Sequence, residues 1–200
     1  MVFAKAPTPG RVKTRLIPAL GEAAAAALYR QLVERTLTTA VAGGLGQVEL
    51  WCAPGTNDAF FAACAEQHGV GLRGQGDGDL GMRMACALEL ALEEGAPALL
   101  IGSDCPVFTP EYFSDAAAAL ANGDDAVFGP AEDGGYVLIG LARPPAAPLF
   151  QDIVWGSATV MQETRARLTK LNWRWRELAT LWDVDRPEDL PRLARLRAER

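Results

Sequence analysis

The chain has a single histidine, His68, among its 200 residues, and its four cysteines, Cys52, Cys64, Cys86 and Cys105, form no CxxC pair. That scarcity fits neither a zinc site nor a dense disulfide framework. It also leaves a cysteine nucleophile without an identifiable base. No stretch approaches the ~20 apolar residues that span a bilayer. The opening Met-Val-Phe-Ala-Lys-Ala-Pro lacks the long apolar region of a signal peptide. Positive charge is in the minority: 19 Lys and Arg against 25 Asp and Glu give a net charge of −6. A broad nucleic-acid surface needs a basic footprint and is not expected here. A small anionic ligand, held by a few local cations, is not excluded. A reduced, cytoplasmic protein follows, with neither nucleic acid nor membrane as partner. Its length suits one domain, residues 1–200, and half its residues are hydrophobic.

Apolar runs alternate with helical stripes along the chain. Val2–Ala4 reads as an opening strand. Leu20, Ala24, Leu28 and Leu32, with Tyr29, Val33, Leu37 and Val41 beside them, predict a helix over Leu20–Val41. Val48–Ala53 reads as a strand, Asp58–Gln67 as a helix, Gly71–Gln75 as a weak edge strand. Leu80, Met84, Leu88 and Ala91 mark a further helix. The continuous apolar run Ala98–Gly102 has the character of a strand buried on both faces. A helix starts at Pro110 and closes near Asn122 and Gly123. Strands at Ala126–Gly129 and Tyr136–Leu141 flank Glu132-Asp133-Gly134-Gly135. Arg143–Pro148 reads as a surface crossing, Ser157–Leu171 as a helix, Trp173–Leu178 as a last strand and Pro187–Arg197 as a closing helix. This rhythm predicts a mostly parallel sheet between helical layers, with ligands beyond the carboxyl ends of its strands.

Five segments carry the candidate chemistry. After the first strand, Lys5, Gly10, Arg11, Lys13 and Arg15 supply four cations and a flexible glycine, suited to phosphate. A P-loop requires glycine directly before Lys13, where Val12 stands, so that motif is rejected. Gly74-Gln75-Gly76-Asp77-Gly78-Asp79-Leu80-Gly81 contains a formal GxGxxG. Its two aspartates would repel a pyrophosphate, which leaves a loop approaching a base or ribose, or an ordinary turn. Asp104, after the central strand, is placed to hold a divalent cation or to cap the next turn. Asp133, Gly134, Gly135 and Tyr136 suit either an acceptor site or a tight hairpin. Asp189 fits a helix start, whereas Asp183 and Asp185 alternate on an expected strand end and share a face.

In this order the segments resemble a bacterial family of radical-SAM/selenodomain-associated transferase 1 proteins, which are glycosyltransferase-A-like. The resemblance spans nearly the whole chain, from Phe3-Ala-Lys-Ala-Pro through Pro-Gly-Arg-Val-Lys-Thr-Arg-Leu16, Gly78-Asp-Leu-Gly, Gly102-Ser-Asp-Cys-Pro106 and Asp133-Gly-Gly-Tyr136 to Asp183-Val-Asp-Arg-Pro-Glu-Asp-Leu190. It implies a three-layer α/β/α, Rossmann-like fold of the nucleotide-diphospho-sugar transferase type. It further implies phosphates on Arg11, Lys13 and Arg15, and Mg²⁺ on Asp104 and Asp185. Gln75 and Gly76 would lie near the base, and Asp133–Tyr136 at the acceptor. Arg186 stands where the family pattern usually has threonine. The expectation is an Mg²⁺-dependent transferase acting on a nucleoside triphosphate or nucleotide-sugar, with Lys13, Asp104 and Asp185 at the chemistry. Nucleotidyl transfer to a small phosphorylated or hydroxyl acceptor is favoured, because Asp104 lacks the second acid of an Asp-x-Asp pair. Glycosyl transfer and a non-catalytic nucleotide-binding module are the rivals.

Overall fold

Val2, Ala4, Leu50, Cys52, Ile101, Val127 and Leu138 turn to one side of a sheet, and Phe3, Trp51, Leu100, Phe128 and Ile139 to the other. The alternation follows from the period-two pleat, and both faces are apolar because helices cover both. A computed structural model describes residues 1–144 and 147–198, and the side chains of 147 and 148 lie outside the description. Its seven strands are β1 (Val2–Lys5), β2 (Glu49–Ala53), β3 (Gly71–Gly74), β4 (Ala98–Gly102), β5 (Ala126–Pro130), β6 (Tyr136–Leu141) and β7 (Trp175–Glu177). They lie in the order β3-β2-β1-β4-β6-β5-β7. Among the described residues, only β6 runs antiparallel to its neighbours, β4 and β5. The fold is the expected mostly parallel α/β sheet, and Gly71–Gly74 is indeed an edge.

One helical layer holds α2 (Glu22–Ala42), α3 (Ala59–His68) and α5 (Pro110–Ala121), the other α4 (Leu80–Leu92), α6 (Ala147–Phe150) and α7 (Val160–Lys170). The two stripes of α2 bury in different places. Tyr29, Val33 and Leu37 join the sheet-facing core, while Leu28 and Leu32 pack with Trp182, Val184 and Leu193. Leu193 belongs to α8 (Leu190–Ala198). One long helix therefore clamps the carboxyl-terminal segment onto the sheet.

Three boundaries differ from the expectation. The predicted first helix is interrupted: α1 (Ile17–Leu20) ends at Gly21, whose φ of 80° breaks the helix before Glu22. The last strand stops at Glu177, so Asp183 and Asp185 are not in it. They lie in a non-repetitive stretch beyond a single bridge between Ala131 and Leu181. The crossing read at Arg143–Pro148 passes through 145–146, outside the described residues, and Ala147–Phe150 is a helical turn.

Gly134, in the β5–β6 loop, stands at φ 91°, and a Cβ there would lie 2.1 Å from the Ala158 carbonyl oxygen. Its amino acid is dictated by that close approach, which Met161 N–H donating to Gly134 O at 2.8 Å reinforces. Gly21 has a similar φ with open space around it. Gly134→Ala is expected to cost about 2–4 kcal/mol and Gly21→Ala about 1 kcal/mol in urea-melt stability, backbone strain being common to both and steric clash unique to the first.

Candidate active site

The loop after β1 folds back through Thr8 N–H to Ala6 O at 2.8 Å and Arg11 N–H to Thr8 O at 3.0 Å, with Gly10 at φ 76°. It delivers Lys13 in a left-handed conformation, φ 48°, costing about 1–2 kcal/mol for a residue with a Cβ. The Lys13 side chain is only 3% exposed, with Nζ 2.9 Å from Asp104 Oδ1. It also donates to the Val184 carbonyl. Val184 N–H in turn donates to Asp104 O at 3.0 Å. Asp104 Oδ1 is buried and its contact with Lys13 is an ion pair without hydrogen-bond geometry, although 43% of the Asp104 side chain remains exposed. Arg15 pairs with Asp185 at the surface.

Four carboxylates thus converge, from the ends of β4 and β5 and from the carboxyl-terminal stretch. Asp183 takes the consequence: partial burial, then the charges of Asp133 and Asp104, push its carboxyl up to about 6, with Lys13 opposing. Asp133 Oδ1 accepts from Gly135 N–H at 2.9 Å, so the Asp133-Gly134-Gly135 turn is a hairpin and a carboxylate platform at once. Among the described residues no group of three or more His, Cys, Asp or Glu side chains forms a ready-made metal site.

A cavity of about 410 Å³ opens between the first loop and β2, lined by Lys5, Thr8, Arg11 and Arg83 with Ala53 and Pro54. Among the described residues, none of these three cations has a carboxylate partner. Arg83 instead donates from Nε to Gly78 O at 3.0 Å and from a terminal nitrogen to Gln75 Oε1 at 3.4 Å. Gln75 is buried, its amide hydrogens given to Ala4 O at 3.0 Å and Trp51 O at 2.8 Å. That leaves Gln75 fastening the glycine loop to β1 and β2, with Gly76 at φ 76° in the turn beside it.

A second cavity of about 210 Å³ lies against α4, β4 and β6. Asp133, Gly135, Tyr136, Trp155 and Asp183 are in its wall. Tyr136 meets Trp155 edge-on, centroids 6.4 Å apart. Burial raises the Tyr136 phenol above its usual range. The sequence-predicted residues are therefore split. Lys13, Arg15, Asp104 and Asp185 pair with one another, Arg11 lines the first cavity, and Asp133, Gly135 and Tyr136 the second. Nothing in the sequence marks Arg83 or Trp155, and Asp183 stands out only by sharing a face with Asp185. Arg83 sits one turn into α4, four residues after the N-cap Asp79, a helix start whose motif was legible although its direction was not.

Cys105 is 2% exposed, burial pushes its thiol up to about 12, and His68 lies at the end of α3. A thiolate nucleophile is not built here. Iodoacetamide is expected to label Cys86 rapidly in the native protein and Cys52, Cys64 and Cys105 only after unfolding, read by peptide mass spectrometry.

The raised Asp183 carboxyl carries a stability prediction. Its folded value, about 6, exceeds the ordinary 3.8. The unfolded chain therefore ionises first. A penalty appears above pH 4 and is complete above pH 6. Metal-free Asp183→Asn is expected to be more stable than the parent at pH 7.5 by roughly 1–2 kcal/mol, discounted for partial exposure, with no gain at pH 3.5. Thermal melts at the two pH values check it.

The chain is similar to a solved protein of Desulfovibrio desulfuricans G20, provisionally named a nucleotide-diphospho-sugar transferase. Identity is 34% over 98% of this chain and 85% of that one, with a TM-score of 0.87. It also resembles 4-diphosphocytidyl-2C-methyl-D-erythritol synthase from Anaerococcus prevotii DSM 20548, at TM-score 0.64 and 12% identity over 100% of this chain and 97% of that one. A third likeness is to glucosyl-3-phosphoglycerate synthase from Mycobacterium tuberculosis, at TM-score 0.54 and 12% identity over 83% of this chain and 71% of that one. The two at 12% identity bear on the fold alone, and the fold shared with the protein at 34% identity is of the nucleotide-diphospho-sugar transferase type. No curated protein matches the sequence. None of the three names carries the radical-SAM/selenodomain association that the motifs implied. Residues 36–157 match the family DUF2064, described as an uncharacterized protein conserved in bacteria, and the chain belongs to it.

Proposed function

We propose that the protein is a nucleotide-dependent transferase that binds a nucleoside triphosphate in the Lys5–Arg11–Arg83 cavity and an acceptor in the cavity beside Asp183. The observation carrying this reading is the segregation of charge at the mouth of the sheet. Among the described residues, three cations without carboxylate partners line one cavity, and two carboxylates, Asp133 and Asp183, line the other, with the charges of Asp104 and Asp185 acting on Asp183. Phosphates are held by charge-assisted hydrogen bonds, each worth roughly 1.5–3 kcal/mol.

The donor set fits Mg²⁺. Asp104 and Asp185 offer hard oxygens, Asp104 Oδ1 is buried without a hydrogen-bond partner, and Mg²⁺ takes one or two carboxylates with the remainder from phosphate and water. Bound there, the ion would offset negative charge on the phosphates. Lys13 and Arg15 neutralise these two carboxylates in the nucleotide-free protein and have phosphate as their alternative partner. Gln75 orients Arg83, and Lys13 holds the first loop against the end of β4.

In this mechanism the acceptor hydroxyl oxygen bonds to the α-phosphorus, the α–β phosphoanhydride bond breaks and pyrophosphate leaves. The hydroxyl proton passes to Asp133 or Asp183, both in the wall of the acceptor cavity. Positioning and electrostatics do most of the work. Glycosyl transfer from a nucleotide-sugar is the second reading, favoured by the aromatic wall of Tyr136 and Trp155, against which a sugar ring packs well.

Incubation with Mg²⁺, pooled nucleoside triphosphates and a panel of small hydroxyl compounds is expected to release pyrophosphate. Arg11→Ala and Arg83→Ala should each weaken triphosphate binding by roughly 10–100-fold in calorimetry, with nucleoside binding unchanged. Asp185→Asn should reduce the Mg²⁺ enhancement of that binding. Release of a nucleoside diphosphate from nucleotide-sugars, with no pyrophosphate from triphosphates, would move the assignment to glycosyl transfer.

A further inference from the structure

The two cavities differ in the sign of their walls. Lys5, Arg11 and Arg83 line the first. Among the described residues, the second has no Lys, Arg or His in its wall, and its only charged groups are Asp133 and Asp183. Lys13 and Arg15 lie outside that wall, Lys13 on Asp104 and the Val184 carbonyl and Arg15 on Asp185, and in the proposed complex their alternative partner is the nucleotide's phosphate. Asp183 makes no hydrogen bond among the described residues and faces the charges of Asp133, Asp104 and Asp185 as well as Lys13. The rest of the wall is apolar or aromatic, with Met84, Tyr136 and Trp155 foremost and Ser157 at its edge.

We infer that the second cavity selects a neutral or amine-bearing polyol the size of a monosaccharide and rejects phosphorylated molecules. The inference deepens the proposed function, on which it rests for the name acceptor. A phosphate monoester brings about −1.5 to −2 charge at neutral pH. Seated between two carboxylates with no cation to answer it, that charge is repelled in a partly desolvated site. Hydroxyl and ammonium groups have the opposite preference, because a free carboxylate accepts from both. Tyr136 and Trp155, set edge-on, supply apolar aromatic surface for the C–H side of a ring. A volume of about 210 Å³ exceeds the roughly 150 Å³ that holds benzene and falls short of the ~300 Å³ at which drug-sized sites begin. Of the acceptors the sequence left open, phosphorylated or hydroxyl, the wall chooses the hydroxyl.

The test uses the full chain and matched probes: glucose, galactose and mannose, each with its 2-amino and 6-phosphate derivative, titrated by saturation-transfer NMR. At least one neutral or amino sugar is expected to bind saturably, with its phosphate derivative at least about tenfold weaker. Asp133→Asn with Asp183→Asn should shrink that gap to within about threefold and cost the amino sugar its advantage over the neutral one. Phosphate derivatives binding as tightly as the parent sugars, an unchanged gap in the double variant, or no saturable sugar binding below about 50 mM would each overturn the inference. Parallel titration with a nucleoside triphosphate reads the other cavity. Failure there removes the transferase reading while leaving the sugar preference standing or falling by its own result.

Discussion

Lys13 is a cation with almost no contact with water, and three distant parts of the chain meet on it. Its ammonium joins the loop after β1 to Asp104 at the end of β4 and to Val184 in the carboxyl-terminal stretch. The left-handed backbone at Lys13 carries the side chain into that junction. Removing one member of a fully buried pair typically costs about 3–5 kcal/mol, and with Asp104 43% exposed this junction is worth less than that, yet losing Asp104 still strands a buried ammonium. Arg15–Asp185 lies at the surface and contributes much less. The candidate chemistry is thus built around one buried cation, and the four carboxylates gather where that cation makes them tolerable.

Strand order explains why the charges segregate. β1 and β2 run parallel, so the loops that follow them open at the same end of the sheet, and Arg83 on α4 joins them there. On the other side of β1, β4 ends at the same mouth. Antiparallel β6 makes the β5–β6 connection a hairpin that returns there too, carrying Asp133. A wholly parallel sheet would need a long crossover at that point and could not place a short acidic turn beside Asp104. The last contributor has no strand to hold it. Asp183 and Asp185 flank Val184, which is wholly buried, its backbone N–H bonded to Asp104 O.

Most of this framework was legible in residue order, because strand and helix periodicities are local. The continuous run of β4, the edge character of β3 and the two stripes of α2 all follow from which side chains recur. What escaped depends on contacts distant in sequence. Leu20 continues the periodicity of α2, but Gly21 interrupts the backbone, and period alone cannot weigh that. Trp173–Leu178 has the composition of a strand, and its register with β5 runs over Trp175–Glu177, flanked by backbone bonds from Ala126 N–H to Arg174 O and from Leu178 N–H to Phe128 O. Asp104, Asp133, Asp183 and Asp185 could each be picked out, but no spacing could say that Lys13 and Arg15 are their ion-pair partners.

Gln75 is the position where local motif and tertiary contact diverge most. In sequence it sits between glycines, in a loop of the sort that approaches a base. In the structure its two amide hydrogens are consumed by carbonyls of β1 and β2, and its oxygen faces Arg83. A ligand taking those hydrogens would have to break two buried hydrogen bonds, at about 0.5–1.5 kcal/mol each. Gln75 therefore acts on a ligand through Arg83, whose guanidinium is left with unshared donors toward the cavity. The flexible glycine loop consequently has a rigid centre, and the cation it positions belongs to the helix beyond it.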